Sequence, residues 1–265
     1  MKIGIVPYLN AVPFLGDGNT GNNSFDFVFN VPSKLSRLLK AGAIDAGLIP
    51  VFDYLNGTGK VILPHLSLSC KGPVESVKLF YQPPLKYVKR IYADKASSTS
   101  AALVRILLKE IYGIEPKIIK VPTHRLITPG TARGLSPSCG ILHIGNLAFR
   151  RIKGYRELDL GEAWYKWTSL PFVFALWVIN DKKNARGINR LLNDNLKWTR
   201  KNMDTVSIQN ARHLNLKKKF IKRYLTKSIF YSLGKRHIKA IEKFQDLCLK
   251  HNLLKTKRQI EFADK

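Results

Sequence analysis

The sequence predicts an α/β protein with two lobes. Strand and helix patterns alternate through the first 80 residues, and a second alternating series begins after the chain break at Pro83-Pro84. The run from Phe172 to Ile179 is apolar throughout, which is typical of a central strand. We therefore expect residues 1–80 and 171–265 to form lobe I and residues 81–170 to form lobe II, with a ligand cleft between the lobes.

In lobe I, short apolar runs bounded by Pro, Gly or polar residues predict strands at 3–6, 25–29, 44–49 and 61–63. A helix is predicted from Pro32 to Gly42, with Ser33 as its N-cap and Gly42 as its end. This strand–helix–strand order favours a largely parallel sheet. Beyond residue 182, apolar positions spaced among Lys and Asn predict helices that return to lobe I.

In lobe II, strands are predicted at 88–93, 118–121 and 139–144. Helical spacing of Leu and Ile predicts a helix from Ala101 that ends at Gly113. Residues 158–171 are aromatic and turn-like, and the Gly- and Pro-rich stretches 16–23 and 122–138 predict surface loops.

A turn is predicted before the last strand of this first part of lobe I. Gly72-Pro73 cannot lie inside a helix or a central strand, whereas the residues from Val74 to Phe80 favour a buried strand. Ser69 stands just before this turn. In open α/β sheets ligands bind outside the strand ends, so a small polar donor such as Ser69 at that edge is a candidate site residue.

Two interpretations apply to Asn10, which follows the first strand. It fits the N-cap of a short helix with Pro13 in its first turn. Alternatively, its amide points into a cleft at the carboxyl end of the strand, where a helix N-terminus favours an anion. The sequence leaves both interpretations open.

Hydroxyl residues fill every position from Ser97 to Ser100, immediately before the helix at Ala101. One of them can be an N-cap with solvated neighbours. Alternatively, Ser98, Thr99 and Ser100 form an anion cradle with the free helix amides. His143, inside an apolar strand, is interpreted as a core histidine, while Asn146 at the end of that strand can face the cleft.

The composition excludes several classes. The net charge is +27, which allows contact with an anionic partner, but the basic residues are mostly scattered, as on a solvated surface. No RNP, zinc-finger or basic-zipper pattern supports nucleic-acid binding. The three cysteines lack metal-site or disulfide spacing, and no run is long enough for a membrane span or a signal segment. We therefore expect a cytoplasmic protein without a metal.

Several motifs occur together in a fixed order. They are Tyr8-Leu9-Asn10 with Pro13, Gly47-Leu48-Ile49-Pro50, Ser69-Cys70 before Gly72-Pro73-Val74, Thr99-Ser100 before Tyr112-Gly113, Ile144-Gly145, and Leu160-Gly161-Glu162-Ala163-Trp164 before Leu170-Pro171-Phe172. In this combination the chain resembles the chorismate dehydratase (MqnA) family of the futalosine route to menaquinone. The resemblance runs from residue 3 to about 179.

The resemblance implies a type II periplasmic-binding-protein fold and a lyase. The reaction is the removal of water from chorismate, a dicarboxylate, to give 3-[(1-carboxyvinyl)oxy]benzoate, with no cofactor or metal. Catalysis is expected from Asn10 and Ser69, and substrate binding from Gly72, Ser98, Thr99, Ser100 and Asn146. We expect a monomer or homodimer.

Two positions depart from the family pattern. Ser98 stands where the family has Arg in a Ser-Arg-Thr-Ser run, and Asn146 stands where it has Asp after Ile-Gly. Loss of the Arg removes a charge-assisted bond to a carboxylate, worth about 1.5–3 kcal/mol.

Two other functions compete with the dehydratase. One is a non-catalytic binding protein for a small carboxylate on the same fold, which a cleaved signal segment would favour. The other is the enzyme of the same pathway that makes dihydroxynaphthoate, but the stretch from Ser69 to Phe80 points away from it.

Overall fold

The fold is known from a computed structural model that describes residues 1–17, 25–122, 125, 132 and 135–263. The predicted loops 16–23 and 122–138 lie largely outside the described residues. The strands are β1 Lys2–Ile5, β2 Asp26–Phe29, β3 Ala46–Pro50, β4 Val61–Cys70, β5 Val77–Tyr81, β6 Arg90–Asp94, β7 Lys117–Val121, β8 Cys139–Ile144, β9 Arg156–Asp159, β10 Phe172–Ile179 and β11 Phe230–Leu233. The α-helices are α1 Pro32–Lys40, α2 Val51–Leu55, α3 Ser98–Tyr112, α4 Leu160–Thr168, α5 Ala185–Lys201, α6 Met203–Leu214, α7 Lys218–Arg223 and α8 Lys235–Lys250.

The chain forms two compact α/β units, which confirms the predicted fold class. Unit 1 consists of Met1–Ser69, Val173–Lys235 and Arg258–Lys265, and unit 2 consists of Cys70–Phe172 and Arg236–Lys257. The six-stranded sheet of unit 1 has the order β11-β4-β10-β3-β1-β2. The five-stranded sheet of unit 2 has the order β7-β6-β8-β5-β9.

The boundaries between the two units differ from those expected after residue 80 and before residue 171. β5 pairs with β8 and β9, so the chain enters unit 2 at Cys70, the last residue of β4, rather than at residue 81. α8, expected in lobe I, belongs to unit 2 because the Phe244 ring packs 5.2 Å from Phe172 and 6.3 Å from Trp164. These pairings join residues that are distant in sequence, which a local pattern does not encode.

The sheets are mixed rather than largely parallel. β1 pairs in parallel with β2 and β3, as β6 does with β7 and β8, whereas β10 runs antiparallel to β3 and β5 antiparallel to β8 and β9. Only a parallel neighbour needs a crossover helix. β5 is the first strand after the chain enters unit 2, and β10 begins where the chain returns to unit 1. The direction of these two strands is therefore not set by the alternation of strands and helices.

Residues 158–171, predicted as turns, instead contain the end of β9 and all of α4. Asp159 is the N-cap of this helix, and its carboxylate accepts a hydrogen bond from the Glu162 N–H at 3.0 Å. An Asp three residues before a Glu is the capping-box pattern, which outweighs the aromatic content of the segment. Ser33 is likewise not an N-cap: α1 begins at Pro32, whose fixed φ suits the first helical position.

Each unit has an aromatic core. In unit 1, the Phe14 ring is edge-on to Trp177 at 5.2 Å and to Tyr231 at 5.4 Å. In unit 2, Trp164 is fully buried and edge-on to Phe172 at 5.1 Å. No helix within the described part of the chain is both long and apolar enough to cross a bilayer.

Candidate active site

Asn10 lies in a 3₁₀-helix, Leu9–Phe14, directly after β1. The N-cap is Tyr8, so the prediction that Asn10 caps this helix is wrong: the chain already turns at Leu9, and the Ala11 N–H bonds the Tyr8 carbonyl at 3.0 Å. The Asn10 Oδ1 atom is buried and has no hydrogen-bond partner in the part of the chain that the structure describes. The side chain therefore has an acceptor that the fold itself does not use.

Side chains of α5 hold the backbone of the 3₁₀-helix that carries Asn10. The Asn195 Nδ2 group donates to the Phe14 carbonyl at 2.7 Å, and the Thr199 hydroxyl donates to the Pro13 carbonyl at 3.2 Å. Both donors are buried side chains. The backbone at Asn10 is thus held by a packed helix rather than by a free loop, which suits a residue that must be placed accurately.

Ser69 lies near the end of β4, and its hydroxyl donates to the Phe230 carbonyl of β11 at 3.2 Å. Ser67, two residues earlier, donates to the Ser232 carbonyl at 2.7 Å. The pairing of β4 with β11 is irregular between Phe230 and Ser232, and the two hydroxyls satisfy carbonyls there. The Ser69 proton is therefore engaged, so the hydroxyl oxygen can serve a further group only as an acceptor. The sequence did not reveal this partner because β11 was not predicted.

The turn that follows β4 is held by Asp159. Its buried carboxylate accepts the Val74 N–H at 3.0 Å and the Glu75 N–H at 2.7 Å, in addition to the Glu162 N–H. Burial raises the pKa of the Asp159 carboxyl, and the backbone donors oppose that rise. Sequence reasoning missed this residue, although the spacing of Asp159 and Glu162 carried the signal.

Gly72 and Gly161 are both required by this turn. Gly72 has φ +106°, which favours glycine. A Cβ on Gly161 would lie 2.5 Å from the Cys70 sulfur and 2.8 Å from the Gly72 carbonyl oxygen. The start of α4 can approach the turn this closely only because residue 161 lacks a side chain.

We expect Gly161→Ala to lower the free energy of unfolding by about 1–3 kcal/mol, because the backbone oxygen it meets can move only with the turn. The measurement is urea unfolding. Gly187→Ala in α5 is the matched control: its Cβ would meet only the Phe25 ring at 3.8 Å, so the helix should gain stability. Equal effects of the two substitutions would contradict the steric explanation.

The start of α3 combines buried hydroxyl groups. Ser97 is the N-cap, but its side chain does not cap the helix; the hydroxyl donates to the Asp94 carbonyl at 2.6 Å. Ser97, Thr99 and Ser100 are buried, so the alternative of an N-cap with solvated neighbours does not describe this segment. The Ser98 Oγ atom is buried, and the described residues offer it no hydrogen-bond partner.

Asn146 lies in a 3₁₀-helix, Gly145–Phe149, directly after β8, and it is half-buried. His143 is fully buried in β8, as expected of a core histidine, and its ring lies 5.1 Å from that of Phe80. Of the predicted site residues, Asn10 and Ser69 belong to unit 1, whereas the five others belong to unit 2: Gly72, Ser98, Thr99, Ser100 and Asn146.

The chemistry available to these residues is hydrogen bonding. Burial, reinforced by the charge of Asp159, raises the pKa of the Cys70 thiol, so this neighbour of the turn stays protonated and is no nucleophile. Among the described residues, no group of three or more His, Cys, Asp or Glu side chains could hold a metal ion. The predicted site residues offer amide and hydroxyl groups for hydrogen bonding.

Comparison with known proteins agrees with the motifs. The chorismate dehydratase of Thermus thermophilus is 32% identical over 175 residues, which are 58% of this chain and 60% of that protein. This chain thus matches less than two thirds of that relative's length.

Solved structures show the fold. A protein of Archaeoglobus fulgidus superposes with a TM-score of 0.78 at 14% identity, over 96% of this chain and 98% of that one. The alkanesulfonate-binding protein SsuA of Xanthomonas axonopodis gives 0.70 at 16% identity, over 97% and 94% of the two chains. The chain therefore has the periplasmic-binding-protein fold.

The family assignment rests on most of the chain. Residues 1–250 match the family described as menaquinone biosynthesis. This range includes every motif from which the resemblance was predicted. The chain therefore belongs to the menaquinone biosynthesis family.

Proposed function

We propose that this protein is a chorismate dehydratase, a lyase that converts chorismate into 3-[(1-carboxyvinyl)oxy]benzoate and water. The observation that carries the proposal is the pair of buried polar atoms without described partners, Asn10 Oδ1 and Ser98 Oγ. Asn10 belongs to a family motif, and Ser98 directly precedes the Thr99-Ser100 motif. The name of the Thermus thermophilus relative supports the same activity.

Unpaired buried polar atoms are unfavourable, each costing about 1–3 kcal/mol. A protein keeps them where a ligand completes the hydrogen bond. A ligand group that donates to Asn10 Oδ1, and one that accepts from the Ser98 hydroxyl, would each recover this energy. Chorismate has both features, since it carries a ring hydroxyl and two carboxylates.

The start of α3 suits one of these carboxylates. The first amides of a helix have no acceptor within the helix, and the macrodipole adds partial positive charge there. Ser98, Thr99 and Ser100 would add hydroxyl donors. Because Ser98 stands where the family has Arg, only neutral donors would bind the carboxylate here. We therefore expect this protein to bind its substrate more weakly than a family member with the Arg does.

The reaction is an elimination without net oxidation or reduction. A ring carbon loses a proton, the neighbouring carbon loses its hydroxyl, and the ring becomes aromatic. We propose that Asn10 Oδ1 and Ser69 Oγ accept hydrogen bonds from the substrate hydroxyl and orient it. A substrate carboxylate takes the ring proton and passes it to that hydroxyl, which leaves as water while the C–H electron pair enters the ring. Aromatisation supplies the driving force, so the protein mainly has to orient its substrate and exclude water.

The test is to incubate the purified protein with chorismate and separate the products by chromatography. We expect 3-[(1-carboxyvinyl)oxy]benzoate to appear in proportion to enzyme and time. Tight binding of chorismate without product would favour the alternative of a carboxylate-binding protein on this fold. A cytoplasmic location and a monomeric or homodimeric state remain predictions from the sequence.

A further inference from the structure

Unit 1 contains a pocket of about 240 Å³ beside the 3₁₀-helix Leu9–Phe14. Its walls come from the second half of α5, the π-helical turn Tyr224–Ser228 and β11. The walls are mainly apolar, and include Leu196, Leu225 and Phe230. Neither Asn10 nor Ser69 lines this pocket, so it is not the site proposed for chorismate.

One buried polar group among the lining residues lacks a partner. Tyr231 is 9% exposed, and its hydroxyl oxygen is buried without a hydrogen-bond partner in the described part of the chain. Its ring is fixed edge-on against Phe14 at 5.4 Å. A buried hydroxyl that the fold leaves unsatisfied indicates a ligand that completes the bond.

A cation lines the same pocket as Tyr231. Arg200 lines the same pocket, its side chain is exposed, and it makes no hydrogen bond or ion pair with any described residue. Burial raises the pKa of Tyr231 well above its ordinary value of 10.0, and the nearby positive charge of Arg200 opposes that rise. The phenol therefore stays protonated, and the guanidinium that lines the same pocket is available to a ligand.

We propose that this pocket binds a small monocarboxylate with an apolar body. The guanidinium of Arg200 pairs with the carboxylate, the Tyr231 hydroxyl donates to it, and the apolar walls cover the rest of the molecule. A single cation selects one carboxylate rather than two. At about 30 Å³ per water in the liquid, 240 Å³ is the space of about eight waters, so the ligand has about eight to ten non-hydrogen atoms.

Benzoate has the required size and charge, and it is the probe. Isothermal titration calorimetry of the full chain with benzoate should give a dissociation constant below about 10 mM. Neutral benzamide has the same shape and should bind at least about tenfold more weakly, because it cannot pair with a guanidinium. Arg200→Gln and Tyr231→Phe should each weaken benzoate binding by about tenfold or more. Lys201→Gln, which removes the neighbouring exposed cation, should leave benzoate binding unchanged.

The Tyr231→Phe variant also tests whether the fold is intact. Because the hydroxyl has no described partner, its removal should leave the melting temperature unchanged or raise it. Absence of benzoate binding by the wild-type chain would overturn the proposal. Binding that survives Arg200→Gln but is lost in Asn10→Ala would also overturn it, because benzoate would then occupy the site proposed for chorismate.

Discussion

Asn10→Ala is expected to lower kcat/KM for chorismate by at least about 100-fold, the scale on which a missing hydrogen bond to the reacting group acts. The amide oxygen is buried and unused by the described residues, so its removal takes an interaction from the substrate and none from the fold. The measurement is the initial rate of product formation, together with thermal unfolding, which should be unchanged.

Asn56→Ala is the matched control. Asn56 is an exposed residue of the same unit, at the end of α2, and its substitution should leave kcat/KM for chorismate unchanged. An Asn10→Ala variant with full activity would exclude Asn10 from catalysis. A variant that loses activity and unfolds at a lower temperature would show that the amide supports the fold instead.

Trp164→Ala is expected to cause the largest loss of stability, about 3–5 kcal/mol of the free energy of unfolding. The side chain is fully buried, its ring meets Phe172 and Phe244, and its indole N–H donates to the Pro171 carbonyl at 3.2 Å. The substitution would open a cavity and leave that carbonyl unpaired. The measurement is urea unfolding followed by circular dichroism.

Trp167→Ala, three residues away on α4, is the control for this prediction. Trp167 is 36% exposed and makes a cation–π contact with Lys243 at 5.7 Å. We expect a loss of about 1 kcal/mol or less, because such contacts at exposed sites are worth about 0.5–1 kcal/mol. Similar losses in the free energy of unfolding of the two variants would mean that burial does not determine how much each Trp of α4 contributes to stability. Hydrogen exchange in α8 should increase more in Trp164→Ala than in Trp167→Ala, since Trp164 packs against the buried Phe244 of α8 whereas Trp167 contacts the exposed Lys243 of the same helix.

The elements with strong local signals could be predicted from the sequence. β8 and β10 have the predicted bounds because continuous apolar runs between Gly, Pro or polar residues have few alternatives to a buried strand. The end of α3 at Gly113 was also correct, since its φ of +66° suits glycine. These signals lie within a few residues of the element that they define.

Elements whose stability depends on distant partners were missed. β11 has four residues and exists because it pairs with β4, more than 150 positions earlier in the chain. α4 was not predicted, because its aromatic residues were interpreted as part of a turn-like segment. These residues serve in tertiary packing, in which Phe244 lies against Trp164. A short strand or a helix of this kind gains most of its stability from tertiary contacts rather than from propensity.

The sequence by itself determined the α/β fold class, the family and the residues proposed to act on the substrate, because each of these depends on residue types at fixed spacing. Tertiary structure alone decided the state of those residues. It engaged the Ser69 proton with the Phe230 carbonyl and left Asn10 Oδ1 and Ser98 Oγ without described partners. The physical reason is that a hydrogen bond depends on the distance between two atoms that folding brings together. The pattern of residues along the sequence does not contain these distances.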